Sequence, residues 1–402
     1  MKSLNKKCMV VGVALVMGTS VAQAVDFGVF GDVGYRGFSP TNRARDHRLS
    51  NTFAQGQFDL YGTQKIDPQT KAFFELVFED GGDGYGVDLE RLYISRELTS
   101  NFSISAGRFH TPVGYWSTAY HHGALIQDTV SRPTFLNFED GYGAIIPMHV
   151  IGIMGDGKIS TGGGGLYYDV MVGNSTSVNT DEIANNPYAI DGSNPGGATQ
   201  STMDVNSTVD PSDKKVAALK LTYKLSSLPL EVGAFVFNNP VVQSGIGGGT
   251  LFGGATPGGY GSDLVSQRVT GGHFRYATAK FDVLGETYML NDDDKIFGSN
   301  TGKHKASAYF VQFGYRVTDK LKPIYRYENV DYSYADPYFQ MMGTEEGTRH
   351  VFDLRYDISD TNALKFEIGR FETTNSGAAN VNNTGINKSY TFYALQWAFM
   401  ML

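Results

Sequence analysis

The chain has one cysteine, Cys8, in 402 residues. An exported fold built from such a chain forgoes disulfides and must be held together by other means. No apolar run approaches the roughly 20 residues that a membrane-spanning helix needs, which excludes a helical membrane bundle. Bases are also in short supply, with 33 Lys and Arg against 41 Asp and Glu. That balance argues against a nucleic-acid partner, which wants a basic face. Helical periodicity is scarce. What the sequence has in quantity is glycine (49), phenylalanine (26) and tyrosine (24).

The first 24 residues carry the cysteine and three of the lysines. Lys2, Lys6 and Lys7 form a positive stretch, residues 9–17 a short apolar one, and Ala22-Gln23-Ala24 a small-x-small site. That order is a secretory signal peptide, with Val25 as the expected mature N-terminus. Cys8 precedes the apolar stretch and is not at the cleavage site, which argues against a lipoprotein anchor. Removing three of the 33 bases leaves 30 against 41 acids, a formal charge of −11.

Beyond residue 24 the recurring signal has period two. Ala72, Phe74, Leu76 and Phe78 alternate with Glu75 and Glu79. Tyr309, Val311, Phe313 and Tyr315 alternate with Gln312 and Arg316, and Leu364, Phe366 and Ile368 with Lys365 and Glu367. Such alternation marks strands with one apolar and one polar face. Short turns near 67–70, 99–101, 155–157, 226–227, 278–279, 318–320 and 359–361 interleave with eight long polar stretches. The long ones fall near 39–50, 80–87, 110–147, 174–214, 239–264, 291–304, 331–347 and 373–387. The count is sixteen strands.

In hydrocarbon every backbone amide must be paired inside the protein, so strands span a membrane only as a closed barrel. The outside must be apolar and the lumen is free to be polar, which produces the alternation. A soluble β-sandwich also alternates but rarely separates short turns from long loops so strictly. Residues 25–402 are therefore expected to form one all-β domain, a transmembrane antiparallel β-barrel of about 16 strands.

The segment Gly107-Arg108-Phe109, followed by Pro112, Gly114 and the pair Tyr115-Trp116, falls where a fifth strand would enter a third long loop. In this motif and in overall architecture the mature chain resembles the outer-membrane porins of Gram-negative bacteria, most closely the type of the phosphate-selective porins O and P. The resemblance implies a third loop folded into the lumen, a homotrimer and residence in the outer membrane. Two departures stand out. The chain ends Phe399-Met400-Met401-Leu402 where such barrels commonly end on an aromatic residue. The polar parity also carries almost as many acids as bases where the phosphate-selective members carry a ladder of bases.

Strand parity over Phe102, Ile104 and Ala106 would turn Arg108 toward lipid, at a cost of about 2–4 kcal/mol near the midplane. The strand is therefore expected to end or bulge at Gly107, with Arg108 on the pore side. Residues 110–147 form a loop rich in aromatic side chains, which would be exposed unless they pack on a wall. It is read as the constriction of a pore, with Arg108, His110, His121, His122, Arg132, Glu139 and Asp140 at or near the narrowing. A metal site at His110, His121 and His122 would need a fixed scaffold for adjacent histidines, and none is expected. Ser117, His121 and Asp128 are the residue types of a hydrolase triad, but no nucleophile-elbow motif surrounds the serine. No cofactor is expected.

Arg316, Lys322, Arg326, Arg349 and Arg355 fall on expected strands twelve to fourteen and would form a basic stripe facing the acids Asp128, Glu139 and Asp140 of the loop. Such an arrangement would set a field across the pore and allow an anion preference. Some of these charges would pair locally, as Arg326 with Glu328 or Arg355 with Asp357. Lys365 and the acids Asp59, Glu75, Asp282, Glu286, Asp353 and Glu367 share the lumen parity. The expected function is passive diffusion of small hydrophilic solutes or anions through a water-filled pore, without enzymatic activity. The expected surroundings are outer-membrane lipid and lipopolysaccharide. The alternative is a barrel enzyme or adhesin working through its long loops.

Overall fold

The computed structural model describes residues 25–39, 51–80, 85–120, 123–136, 144–179, 203–204, 210–245, 250–251, 254–255, 259–295, 302–333, 335–342, 344, 346–373 and 389–401. The expected signal peptide, residues 1–24, lies outside these, as do His121, His122, Glu139 and Asp140.

Sixteen long strands follow in chain order: β1 (Asp26–Ser39), β2 (Thr52–Asp67), β3 (Thr70–Asp80), β4 (Tyr85–Thr99), β5 (Phe102–His110), β6 (His149–Thr161), β7 (Gly164–Gly173) and β8 (Val216–Leu225) form the first half. The second half is β9 (Leu230–Gln243), β10 (Asp263–Ala277), β11 (Phe281–Asp294), β12 (Lys303–Tyr315), β13 (Leu321–Tyr332), β14 (Gly347–Ser359), β15 (Asn362–Thr373) and β16 (Ser389–Met401). Each strand pairs antiparallel with the next. β16 then pairs back onto β1, from Val29↔Met401 to Ser39↔Thr391, and the sheet closes. Closure leaves no open edge among these strands.

The burial pattern is that of a soluble protein turned inside out. On β14, Phe352, Leu354 and Tyr356 are exposed while Arg349, Val351 and Asp353 are buried. On β15, Phe366 and Ile368 are exposed while Lys365 and Glu367 are fully covered. The exposed face is apolar and the covered face polar, as the period-two reading requires.

Three local expectations change. Gly155-Asp156-Gly157 is not a turn: β6 runs through it, pairing Gly155 with Ile104 and Gly157 with Phe102, and the hairpin falls at 162–163. β3 and β4 are separated by only four residues, 81–84, so that connection is short. β5 also does not end at Gly107. Its register with β6 continues unbroken to His110↔His149. Gly107 instead takes φ +138°, and a Cβ there would come within 2.2 Å of the Leu92 carbonyl oxygen. Glycine is thus required both for the backbone angle and for the close approach of β4.

Candidate functional site

The segment between β5 and β6 packs on the polar face of the wall. It starts with a one-turn helix, α1 (Trp116–Ala119). The Trp116 backbone N–H donates to Glu286 on β11 at 2.5 Å, and Tyr288 donates its hydroxyl to the same carboxylate at 2.6 Å. The Trp116 ring meets Phe310 of β12 edge-on with centroids 5.6 Å apart, and the Arg326 guanidinium lies 5.5 Å over it. Phe135 contacts Tyr288 and Phe310 from the far side of the segment. The result is an apolar cluster built by loop and wall together. Burial raises the phenol pKa values of Tyr115 and Tyr120, which stay neutral hydrogen-bonding groups.

Residues 124–134 then run along β13–β15, with their polar groups taken up almost one by one. Lys365 donates to the Ala124 carbonyl, and Arg355 donates to the carbonyls of Leu125 at 2.7 Å and Gln127 at 3.0 Å. Asp128 pairs with Lys322 at 2.8 Å and lies 4.0 Å from Arg355. Arg326 donates to the Thr129 hydroxyl at 2.6 Å, the Ser131 carbonyl at 2.9 Å and the Arg132 carbonyl at 3.1 Å. The acids receive in turn: Val130 N–H donates to Asp353 at 3.0 Å, Ser131 N–H to Glu367 at 2.9 Å and Thr134 N–H to Glu328 at 2.7 Å. Arg349 donates to the Thr134 and Ser131 hydroxyls.

Charges on the wall are also compensated among themselves. Arg326 pairs with Glu328 at 2.7 Å and Arg355 with Asp357 at 2.7 Å, the two local pairs expected from sequence. Arg349 lies 3.6 Å from Glu367, and Lys322 pairs with Asp282 as well as Asp128. Arg326 and Glu328 are essentially inaccessible, so each charge depends on the other and on the loop's dipoles. The basic stripe therefore meets the loop in direct contact, where a field across an open gap was expected. Arg316 stands apart, in the β12–β13 turn, bonded to the Asp319 carbonyl and to Asp357.

Arg108 and His110 belong to a second cluster at the root of the segment. Arg108 is buried and donates from Nε to the Glu90 carbonyl at 2.9 Å. The His110 ring lies 5.1 Å from that of His149, whose Nε2 is 2.8 Å from the Glu90 carboxylate. Ser117 donates its hydroxyl to the Met148 sulfur at 3.9 Å, and His121, the base of the grouping with Asp128, lies outside the described residues. His149 and Glu90 were not singled out from sequence, nor were Thr129, Ser131 and Thr134. Glu286, Asp353, Lys365 and Glu367 were visible only as members of the polar parity. Asp353, Lys365 and Glu367 share one signal, a charge flanked on both sides by exposed apolar residues of one strand, which Glu286, between Gly285 and Thr287, lacks.

The chain matches no protein-family model and no curated protein sequence. It does match solved structures. The anion-selective porin from Comamonas acidovorans is 13% identical, with TM-score 0.59 over 94% of this chain and 99% of that one. The outer membrane channel DcaP of Acinetobacter baumannii is 9% identical, with TM-score 0.57 over 93% and 97%. OmpT of Vibrio cholerae in a trimer form is 13% identical, with TM-score 0.54 over 94% and 99%. At these identities the likeness is one of fold, and the fold is that of outer-membrane porins.

Proposed function

We propose that the chain is an outer-membrane porin for passive diffusion of small hydrophilic solutes, and that residues 110–147 narrow its lumen. The observation that carries this reading is the seating of residues 116–120 and 123–135 on the polar face of a closed barrel whose other face is apolar. An apolar exterior suits hydrocarbon, and a polar interior holds water. Arg326, Arg349, Arg355 and Lys322 act in this reading as anchors of the constriction, with Arg108 and His110 at its root. An anion preference would need bases facing the water, whereas these bases meet acids and loop carbonyls. Residues 1–24 are read as the export signal. A homotrimer in lipid and lipopolysaccharide is proposed from the resemblance, with the trimer form of OmpT in support. Enzymatic activity forms no part of the reading.

Single-channel recording of the purified protein in planar bilayers tests the proposal. Stepwise, voltage-independent conductance in simple salts is expected. A heat-modifiable barrel that inserts and carries no current would overturn it.

A further inference from the structure

At the long-loop end of the barrel a polar seam crosses the covered face of three strands. Asn239 on β9, Gln267 on β10 and Asp292 on β11 lie directly opposite one another in register. Thr176, in the connection after β7, donates its hydroxyl to Asn239 Oδ1 at 2.9 Å. Asn239 Nδ2 donates to Gln267 Oε1 at 3.2 Å, and Gln267 Nε2 to Asp292 Oδ2 at 3.3 Å. The seam ends on Asp336, in the connection after β13, whose carboxyl is within hydrogen-bonding reach of Asp292. Asp292 is 2% exposed and Asp336 is inaccessible. Asp336 Oδ1 accepts the Tyr338 N–H at 3.0 Å, while Asp292 Oδ1 and Asp336 Oδ2 are buried without a donor.

Two buried carboxylates face each other with both charges intact only beside a counter-charge. The other charged groups that act on Asp336 are Asp294 on β11 and His304 on β12, and the His304 Nε2 is 4.0 Å from Asp294. Lys295 is taken by Asp293. Three acids thus meet one histidine, and even a protonated imidazole leaves two negative charges over.

We infer that Asp292 and Asp336 bind a divalent cation of the hard, oxygen-seeking class, Ca2+ in particular. Carboxylate and amide oxygens are the ligands such ions prefer, and Ca2+ tolerates irregular geometry. Among the described residues no three His, Cys, Asp or Glu side chains gather at one point, so the third protein oxygen comes from Gln267. A half-turn of the Gln267 and Asn239 amides points Gln267 Oε1 at the carboxylates. Gln267 then donates to Asn239, and Asn239 to the Thr176 hydroxyl, so the rest of the seam is kept with its direction reversed. The remaining positions of the shell fall to water.

A bound cation would fix more than two carboxyls. Asp336 leads directly into the short helix α2 (Pro337–Met342). The Tyr338 hydroxyl donates to the Ile145 carbonyl at 3.2 Å, and the Thr344 hydroxyl to the Ala144 carbonyl at 3.2 Å. Phe339 stacks on Tyr332 with centroids 4.6 Å apart. The cation therefore ties β11 to the connection after β13 and, through it, to the last residues of the segment after β5.

Amide exchange across 337–342 in the detergent-folded protein provides the test, at about pH 7 in CaCl2 or in EDTA with ionic strength matched by NaCl. Ca2+ at about ten times its dissociation constant is expected to slow exchange about tenfold. Asp292→Asn and Asp336→Asn should each lose that response. In either variant the new amide donates to the facing carboxylate, so the chain folds without the ion. Calorimetric titration with CaCl2 should find one site more in the wild type than in either variant. Exchange equal in CaCl2 and EDTA, or slowed by Ca2+ equally in the variants, would overturn the site. So would protection that rises on acidification alone, since the pair would then share a proton and nothing more. Neither readout depends on current, so a barrel that fails to conduct leaves the test intact.

Discussion

Arg326 on β13 and Ser131 in the segment after β5 are joined twice, Nη1 to the Ser131 carbonyl and Nη2 to its hydroxyl, both at 2.9 Å. The guanidinium also holds Glu328, so a neutral residue at this position strands a buried carboxylate and frees the segment. Breaking such a pair from one side costs about 3–5 kcal/mol. Arg326→Leu is expected to lower the temperature at which the folded form yields to SDS and to make the open current noisier. Arg326→Glu would put a second carboxylate beside Glu328 and should release the segment altogether. A pure change of ion selectivity, with conductance and heat resistance as in the wild type, would contradict the anchoring role.

Deleting residues 123–134 should enlarge conductance and leave a folded barrel. The ladder bonds between strands do not involve this segment, while Arg326, Arg355, Lys365 and Glu367 lose their loop partners. Retained heat modifiability with a lower transition temperature is the expected gel result. Unchanged conductance would place the segment outside the current path.

Gly107→Val is expected to impair folding more than any other change in β5. The substitution demands a positive φ of a β-branched residue and drives its Cβ into the Leu92 carbonyl and Tyr93. Gly162→Ala, in the β6–β7 turn where an added Cβ meets nothing within 4 Å, is the matched control. Refolding yield into detergent, read by the heat-modifiable band, compares the two.

Asp336 lies in the connection after β13, just ahead of the short helix α2 (Pro337–Met342). Burial raises its carboxyl from 3.8 to about 6, and hydrogen bonds with the Tyr338 N–H and Asp292 offset only part of that. A carboxyl with a raised folded pKa binds more protons folded than unfolded, so the packing of α2 is favoured at low pH. That stability is lost progressively as pH rises from 3.8 toward about 6. Amide exchange across 337–342, corrected for its intrinsic rate, should be better protected near about pH 4 than about pH 7. Asp336→Asn should flatten the difference.

Mass spectrometry of protein extracted from the outer membrane should find Val25 at the N-terminus. An intact Met1 form would sink the reading of residues 1–24 as an export signal.

The barrel was legible in the sequence because its two faces meet different solvents, and a period of two records that along each strand. Lys365 and Glu367, flanked by Leu364, Phe366 and Ile368, show the principle in five residues. The Arg326–Glu328 and Arg355–Asp357 pairs were legible for the same reason, since residues two apart share a face. Turn chemistry misled at Gly155-Asp156-Gly157, where glycine serves a neighbour: an added Cβ on Gly155 would come within 3.1 Å of the Phe102 ring. The loop's partners were beyond reach. Ser131 finds Glu367 across 236 residues only because the sheet curls and closes, and no local pattern encodes that meeting.

The long separations have a consequence for the order of assembly. Trp116 waits for a carboxylate 170 positions later in the chain, and Ala124 for a lysine 241 positions later. Strands β1–β10 can pair neighbour by neighbour, but the segment after β5 has no seat until β11–β15 arrive. Its own hydrogen-bonding groups must stay solvated meanwhile, and its tryptophan and tyrosines remain open to wrong contacts. Sequence-distant closures of this kind are slow to form. Seating of the segment is therefore a late event in the life of the molecule, and a barrel caught partway through folding would have closed its ladders without it.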